Sequence, residues 1–155
     1  MLTYFEKNDL VDYPVEMPES WQEAIRMSCQ KLMNHNYITD TYVDEIIESI
    51  IEHGPYIVII PNVAMPHAPG NHSSVLKSGI SFTKFKKPVL FFDEKEKEEK
   101  PAVLFFTIAA KNADEHLENI TNLMELFSDE QMMDQLIHSE TIEDFDKLLV
   151  GNTLT

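Results

Sequence analysis

The sequence predicts an α/β fold: a single-domain sandwich in which a mixed β-sheet is flanked by helices on both faces. Two segments of helical period open the chain, four short β-branched or aromatic runs fill its middle, and helical period returns over the last third, an order that packs a sheet between helices. With 155 residues and 43% apolar content the chain suffices for one sizeable core, so residues 1–155 read as one domain. No internal repeat, low-complexity stretch or linker divides it.

Ser20-Trp21-Gln22-Glu23 has the form of a capping box, and behind it Trp21, Ala24, Ile25, Cys29, Leu32 and Met33 recur at helical spacing. Thr39 or Asp40 caps a second helix with Val43, Ile46, Ile47, Ile50 and Ile51 on its inner face and Gly54-Pro55 as its stop. Tyr56 to Ile60 is short, β-branched and bounded by prolines, which predicts a buried strand followed by a loop at Pro61-Asn62. Further strands are expected at Ile80 to Thr83, Val89 to Phe92 and Ala102 to Ile108. The charged run Asp93 to Lys100 between the last two reads as a solvated hairpin tip. Leu117, Ile120, Leu123, Met124 and Phe127 form one helical stripe, and Met132, Met133, Leu136 and Ile137 a second. Thr141-Ile142-Glu143-Asp144 opens a third helix that is expected to end before Gly151.

Composition narrows the function. Asp and Glu number 27 against 12 Lys and Arg, and a net charge of −15 repels nucleic-acid phosphates and anionic lipid. The longest apolar stretches, such as Ala102 to Ala110, fall short of the roughly 18–20 residues that cross a bilayer, so no membrane insertion is expected. The opening Met1 to Phe5 lacks the features of a signal peptide, and the chain is read as cytoplasmic. Its single cysteine, Cys29, excludes an internal disulfide and multi-cysteine metal sites, and its place on the first apolar stripe assigns it to the core. Four glycines, in neither of the two common phosphate-loop patterns, exclude those nucleotide folds.

The charges are unevenly spread. Residues 61 to 90 hold no Asp or Glu, yet they include His67, His72, Lys77, Lys84, Lys86 and Lys87. Such a stretch tolerates an added negative group, and a phosphoryl group brings about −1.5 to −2 charges that nearby carboxylates would repel. His67 lies there between Pro66 and Pro69, which limit backbone freedom around its imidazole. A neutral imidazole attacks through one nitrogen while the other donates the hydrogen bond that fixes its tautomer. On chemistry alone His67 is either such a nucleophile or an ordinary surface residue. His67 with His72 has no neighbouring cysteine or acid in sequence to complete a metal site. His35, His53 and His138 fall at expected helix ends, where a cap or surface role suffices.

Val63-Ala64-Met65-Pro66-His67-Ala68 resembles the Ile-Ala-x-Pro-His motif of the IIA proteins of the bacterial phosphotransferase system, in the mannitol/fructose class (EIIA type 2). Trp21 to Ile25, Gly54 to Ile59, Ile108-Ala109-Ala110 followed by Glu115-His116-Leu117, and Thr141 to Asp144 fall in that family's order, from about residue 10 to residue 150. Gly54-Pro55-Tyr56 is similar to the ascorbate branch in particular. The resemblance implies that His67 accepts a phosphoryl group from phospho-HPr and donates it to a cysteine of a cognate IIB protein, which works with a membrane IIC partner. It implies that His116 lies beside His67 and holds phosphoryl oxygens, a role that suits a residue at a helix start. No cofactor or metal is implied, because the energy resides in the donor's N–P bond. The same resemblance is compatible with a regulatory protein whose His67 phosphorylation controls a transcription factor, kinase or transporter by contact. The chain departs from the ascorbate branch where His-Ala-Arg-Pro-Glu is replaced by His67-Ala68-Pro69-Gly70-Asn71-His72. The missing arginine leaves Lys77, His72 or backbone N–H groups as candidate substitutes.

Overall fold

A computed structural model describes residues 1–70 and 72–154, the last three in backbone only. Its centre is an antiparallel hairpin of two long strands, β3 (Gly79–Asp93) and β4 (Glu98–Ala109), in register from Gly79 opposite Ala109 to Asp93 opposite Glu98. Short strands extend the hairpin on both sides: β1 (Val11–Asp12) runs parallel to β3, and β2 (Asn62–Ala64) parallel to β4. The sheet order is therefore β1-β3-β4-β2, and the sheet is mixed, as the sequence predicts.

Side chains of a strand alternate between faces, so the hairpin needs two covers. On one face Phe82 and Phe106 meet Phe5 of α1 (Leu2–Lys7), Phe127 of α5 (Ala113–Phe127) and Phe145 of α7 (Ile142–Leu154). On the other face Phe91 meets Trp21 of α2 (Trp21–Ser28), and the Ser81 and Thr107 hydroxyls donate to the carbonyl and hydroxyl of Ser28. Helix α4 (Asp40–His53) packs against α2, and α6 (Glu130–His138) against α5 and β4. The helices thus cover both faces. Phe5, Phe82, Phe106 and Phe145 are fully buried, and truncating any one to Ala costs about 3–5 kcal/mol.

Several expectations change. The first predicted helix is two, α2 and then α3 (Gln30–Asn34), joined at Cys29. Ser28 bonds back to the Ile25 carbonyl at 2.8 Å while receiving Thr107, and such back-bonding bends a helix. The stretch Tyr56 to Ile60 is not a strand. After Gly54, at φ +81°, the Tyr56 and Val58 N–H groups are spent on the Gly54 and Pro55 carbonyls in a tight turn. Ile57 and Val58 are both buried while Ile59 is 62% exposed. The strand begins instead at Asn62, whose φ of +70° is one that asparagine tolerates.

The two strands expected over 80–83 and 89–92 are one, β3, bulged between Lys84 and Val89. The α5 stripe is also rotated: Leu123 is buried with Ile120, Leu126 and Phe127 against the core, whereas Leu117 is 66% and Met124 43% exposed. At about 100° per residue those two lie beyond the edge of the face centred on Leu123. Helix α7 continues through Gly151 to Leu154, and α1 and β1 are elements that no sequence pattern announced.

Candidate functional site

Because β2 and β4 are parallel, their C-terminal ends, Ala64 and Ala109, open on the same edge of the sheet, the edge where α/β folds place ligands. Three residues beyond Ala64 is His67. Beyond Ala109 the chain turns directly into α5, which carries His116 in its first turns. Topology therefore brings the two predicted histidines together, with ring centroids 5.4 Å apart and planes at 41°.

The segment bearing His67 is pinned at several of the backbone groups around it. The Ile108 N–H donates to the Pro66 carbonyl at 2.9 Å, and the Tyr56 hydroxyl donates to the carbonyl of His67 itself. The Tyr42 hydroxyl donates to the Ile108 carbonyl at 2.8 Å and accepts from the Ala68 N–H at 3.3 Å. Burial holds the Tyr42 phenol far above its ordinary range, so it keeps the proton it donates. The Tyr56 ring stands edge-on to His67, with centroids 5.3 Å apart. Such fixing pre-orients the imidazole before any partner arrives.

The ring itself is oriented by Nδ1, which lies 2.6 Å from the Met65 carbonyl. A carbonyl only accepts, so Nδ1 carries the proton and Nε2 holds the free lone pair. Burial lowers the His67 pKa below that of an ordinary histidine; the Met65 bond opposes this, and His116 adds to it. The result is a neutral, half-buried imidazole with one nitrogen ready to attack.

His116 belongs to the inner face of α5, seven positions before Leu123. The helix start is capped by Asn112, whose side chain accepts from the Glu115 N–H at 2.9 Å and donates to the Glu115 carboxylate at 2.7 Å. Between this helix start and the loop beyond His67 lies a cavity of about 140 Å³ lined by Tyr42, Pro69, Gly70, His72, Asn112 and His116, with Ala68, Ala110 and Ala113. Among the described residues no carboxylate lines it. A larger cavity, about 750 Å³, lies between α5 and the Tyr4 and Gly79 segments and is bordered by Glu115, Glu118, Glu125 and Asp129. Its acids disfavour an anion, so chemistry favours the smaller space.

The lysines of the acid-free stretch do not gather here. Lys77 sits over the Tyr37 ring at 4.8 Å. Lys84 is buried, donates to the Phe85 carbonyl, and borders a separate cavity with Lys86 and His138. His72 does line the small cavity, but its two ring nitrogens face Glu45 and the Pro69 carbonyl. Cys29 is buried, and its thiol is pushed up to about 12, in keeping with a core role. His35 pairs with Asp9 beyond the end of α3, and His53 and His138 end α4 and α6. Among the described residues no group of three or more His, Cys, Asp or Glu is placed to hold a metal ion, and no helix is long and apolar enough to cross a membrane.

Tyr42 and Glu45 are candidate site residues that the sequence did not single out, and Tyr56 entered only within the Gly54-Pro55-Tyr56 resemblance. Tyr42 and Glu45 share one turn of α4, a pattern equally typical of any half-buried helix. Only the fold shows that this turn meets the His67 loop.

Residues 5–151 match the family described as phosphoenolpyruvate-dependent sugar phosphotransferase system, EIIA 2. The chain is 37% identical over 123 residues to the mannitol-specific cryptic phosphotransferase enzyme IIA component of Escherichia coli (strain K12), covering 79% of this chain and 80% of the relative. It is 34% identical over 119 residues to the ascorbate-specific PTS system EIIA component of the same organism, covering 76% and 75%. Among solved structures, a chain in the complex of enzyme IIAMTL and phosphorylated enzyme IIBMTL from Escherichia coli matches with a TM-score of 0.72 at 26% identity, over 92% of this chain and 95% of that one.

Proposed function

The chain belongs to the EIIA 2 family of the phosphoenolpyruvate-dependent sugar phosphotransferase system, and from that premise we propose that it is a cytoplasmic phosphocarrier acting through Nε2 of His67. The phosphoryl group arrives from phospho-HPr and leaves to a cysteine of a cognate IIB protein, which serves a membrane IIC partner. The observation that carries this reading is the bond from His67 Nδ1 to the Met65 carbonyl, with His116 as the neighbouring ring.

In the first step the Nε2 lone pair forms a new N–P bond while the donor's N–P bond breaks, its electron pair remaining on the donor nitrogen. His67 keeps its Nδ1 proton, so the phosphorylated ring is an imidazolium whose charge faces the Met65 carbonyl. In the second step a thiolate attacks phosphorus and the N–P pair returns to Nε2, leaving a neutral ring. No proton moves within the chain in either direction. The His116 ring and the N-terminus of α5 supply donors and a positive dipole end to the phosphoryl oxygens.

The relatives are named for mannitol and for ascorbate. Gly54-Pro55-Tyr56, the segment similar to the ascorbate branch, places the Tyr56 hydroxyl on the His67 carbonyl. On that resemblance we favour ascorbate or a related sugar or sugar acid as the transported compound. Incubation with phosphoenolpyruvate, enzyme I and HPr, followed by intact mass and peptide mapping, is expected to place one phosphoryl group on His67. A chain left unlabelled, or labelled elsewhere, overturns the proposal.

A further inference from the structure

The acid-free stretch around His67 is not free of acid in space. Glu45, on α4, packs against it, and its two carboxylate oxygens are separately held: Oε1 accepts from the Ser74 hydroxyl at 2.8 Å, and Oε2 pairs with Nδ1 of His72. The side chains of Glu45 and His72 are only 26% and 22% exposed, so water screens the pair weakly. His72 also points Nε2 at the Pro69 carbonyl, 2.7 Å away. A carboxylate and a carbonyl both accept, so the full set of bonds is met when the ring carries two N–H donors and a positive charge.

The anchoring extends further. The Thr39 N–H donates to the Ser74 carbonyl at 3.0 Å, the Val75 N–H to the His72 carbonyl at 3.2 Å, and Ile38 bridges Val75. The backbone from His72 to Val75 is thereby fixed to the start of α4, and the His72 ring reaches from that fixed point to Pro69. The Tyr42 ring packs edge-on to His72 at 5.7 Å, and His116 and Asn112 line the far wall of the cavity.

We propose that the Glu45–His72 pair is a charge-masking clamp: His72 neutralises the carboxylate that packs behind the phosphoryl cavity and holds the Pro69 carbonyl that shapes its rim. The inference rests on His67 being the phosphoryl acceptor. It makes His72 a positioning residue, since its donors are spent on Glu45 and Pro69 rather than on the phosphoryl group. A phosphoryl group on His67, whose ring neighbours the cavity-lining His116, adds about two negative charges beside the cavity. Without His72 it would face the bare Glu45 carboxylate through a space of low dielectric.

The test is single-turnover phosphorylation by saturating phospho-HPr of wild type, His72→Gln, Glu45→Gln and the double variant. His72→Gln is expected to slow the transfer step about tenfold with little change in KM, the effect of one uncompensated charge near the reacting group. Glu45→Gln, which removes the masked charge, is expected to exceed the wild-type rate. The double variant is expected to recover most of the loss. A structural role alone does not produce such recovery, because the double variant lacks both contacts. A double variant as slow as His72→Gln overturns the proposal, as does wild-type speed in His72→Gln. Should His72→Gln fail to fold, Glu45→Gln decides, and a rate below wild type overturns the clamp. Failure of the wild-type chain to take label on His67 is a different result, and overturns the reading of the site itself.

Discussion

The Tyr42 hydroxyl joins two segments distant in sequence, accepting from the Ala68 N–H at 3.3 Å while donating to the Ile108 carbonyl at 2.8 Å. It ties the residue after the proposed acceptor to the end of the central hairpin. Tyr42→Phe keeps the ring and strips both bonds from buried surroundings, so a loss of about 1–3 kcal/mol in stability is expected from denaturant unfolding. Phosphorylation should slow as well, because the His67 loop loses one of its fixed points. A variant equal to wild type in both measurements refutes this role.

Removal of His67 should separate chemistry from folding. The residue lies on a loop rather than in the core, so His67→Ala is expected to fold normally, by circular dichroism, and to gain no phosphate from phospho-HPr. The wild-type adduct should survive alkali and hydrolyse in acid, as a phosphoramidate does. An acid-stable, base-labile adduct points to a hydroxyl acceptor instead.

The lowered pKa of His67 fixes the sign of a pH effect. Burial depresses it below the ordinary 6.5, so below that pH the unfolded chain takes up a proton that the folded chain still refuses. Stability from this group is complete above 6.5 and is lost as the pH falls from there through the folded value. His67→Gln should therefore lose stability less steeply than wild type below 6.5, measured by urea midpoints at stepped pH. The acceptor should also stay reactive at pH values where an exposed histidine is already protonated. A steeper decline in the variant contradicts the assignment.

His116 is expected to assist without accepting. A donor to a charged oxygen contributes about 1.5–3 kcal/mol, which is about a 10- to 100-fold effect if it is made mainly in the transition state. His116→Ala should still be labelled at His67 but should pass phosphate to a IIB cysteine more slowly, and His116→Gln should recover part of the rate through its amide. Loss of all labelling in a folded His116→Ala, or wild-type rates in both directions, refutes the role.

The net charge of −15 should appear in partner kinetics. Steering by charge acts on association, so raising salt from about 0.05 to 0.5 M is expected to slow transfer from phospho-HPr chiefly through the association rate. Stopped-flow rates indifferent to salt contradict steering.

The sandwich and both histidines were legible because each rests on a local signal: strand and helix periods for the fold, the Val63 to Ala68 motif and the Glu115-His116-Leu117 segment for the site. Other features depend on where chain segments meet. Tyr56 to Ile60 is as apolar as a strand, but a turn spends its N–H groups, and apolar content does not report which bonds a backbone makes. The stretch from 61 to 90 lacks acids in sequence, yet Glu45 reaches it from another element. Leu117 and Met124 follow the period of α5 but lie outside its buried arc, because which side of a helix is buried is decided by what it packs against. The helix α1 and the two-residue strand β1 are too short to leave a period at all.

Cys29 is fully buried, with its thiol held near pKa 12. On the proposed function, a carrier that hands a phosphoryl group to a partner's cysteine keeps its own sulfur buried, where formation of a thiolate is disfavoured. The same burial turns the thiol into a clock. Any reagent that captures it does so after an opening exposes Cys29, and its capture rate reports that exposure without a label having been introduced.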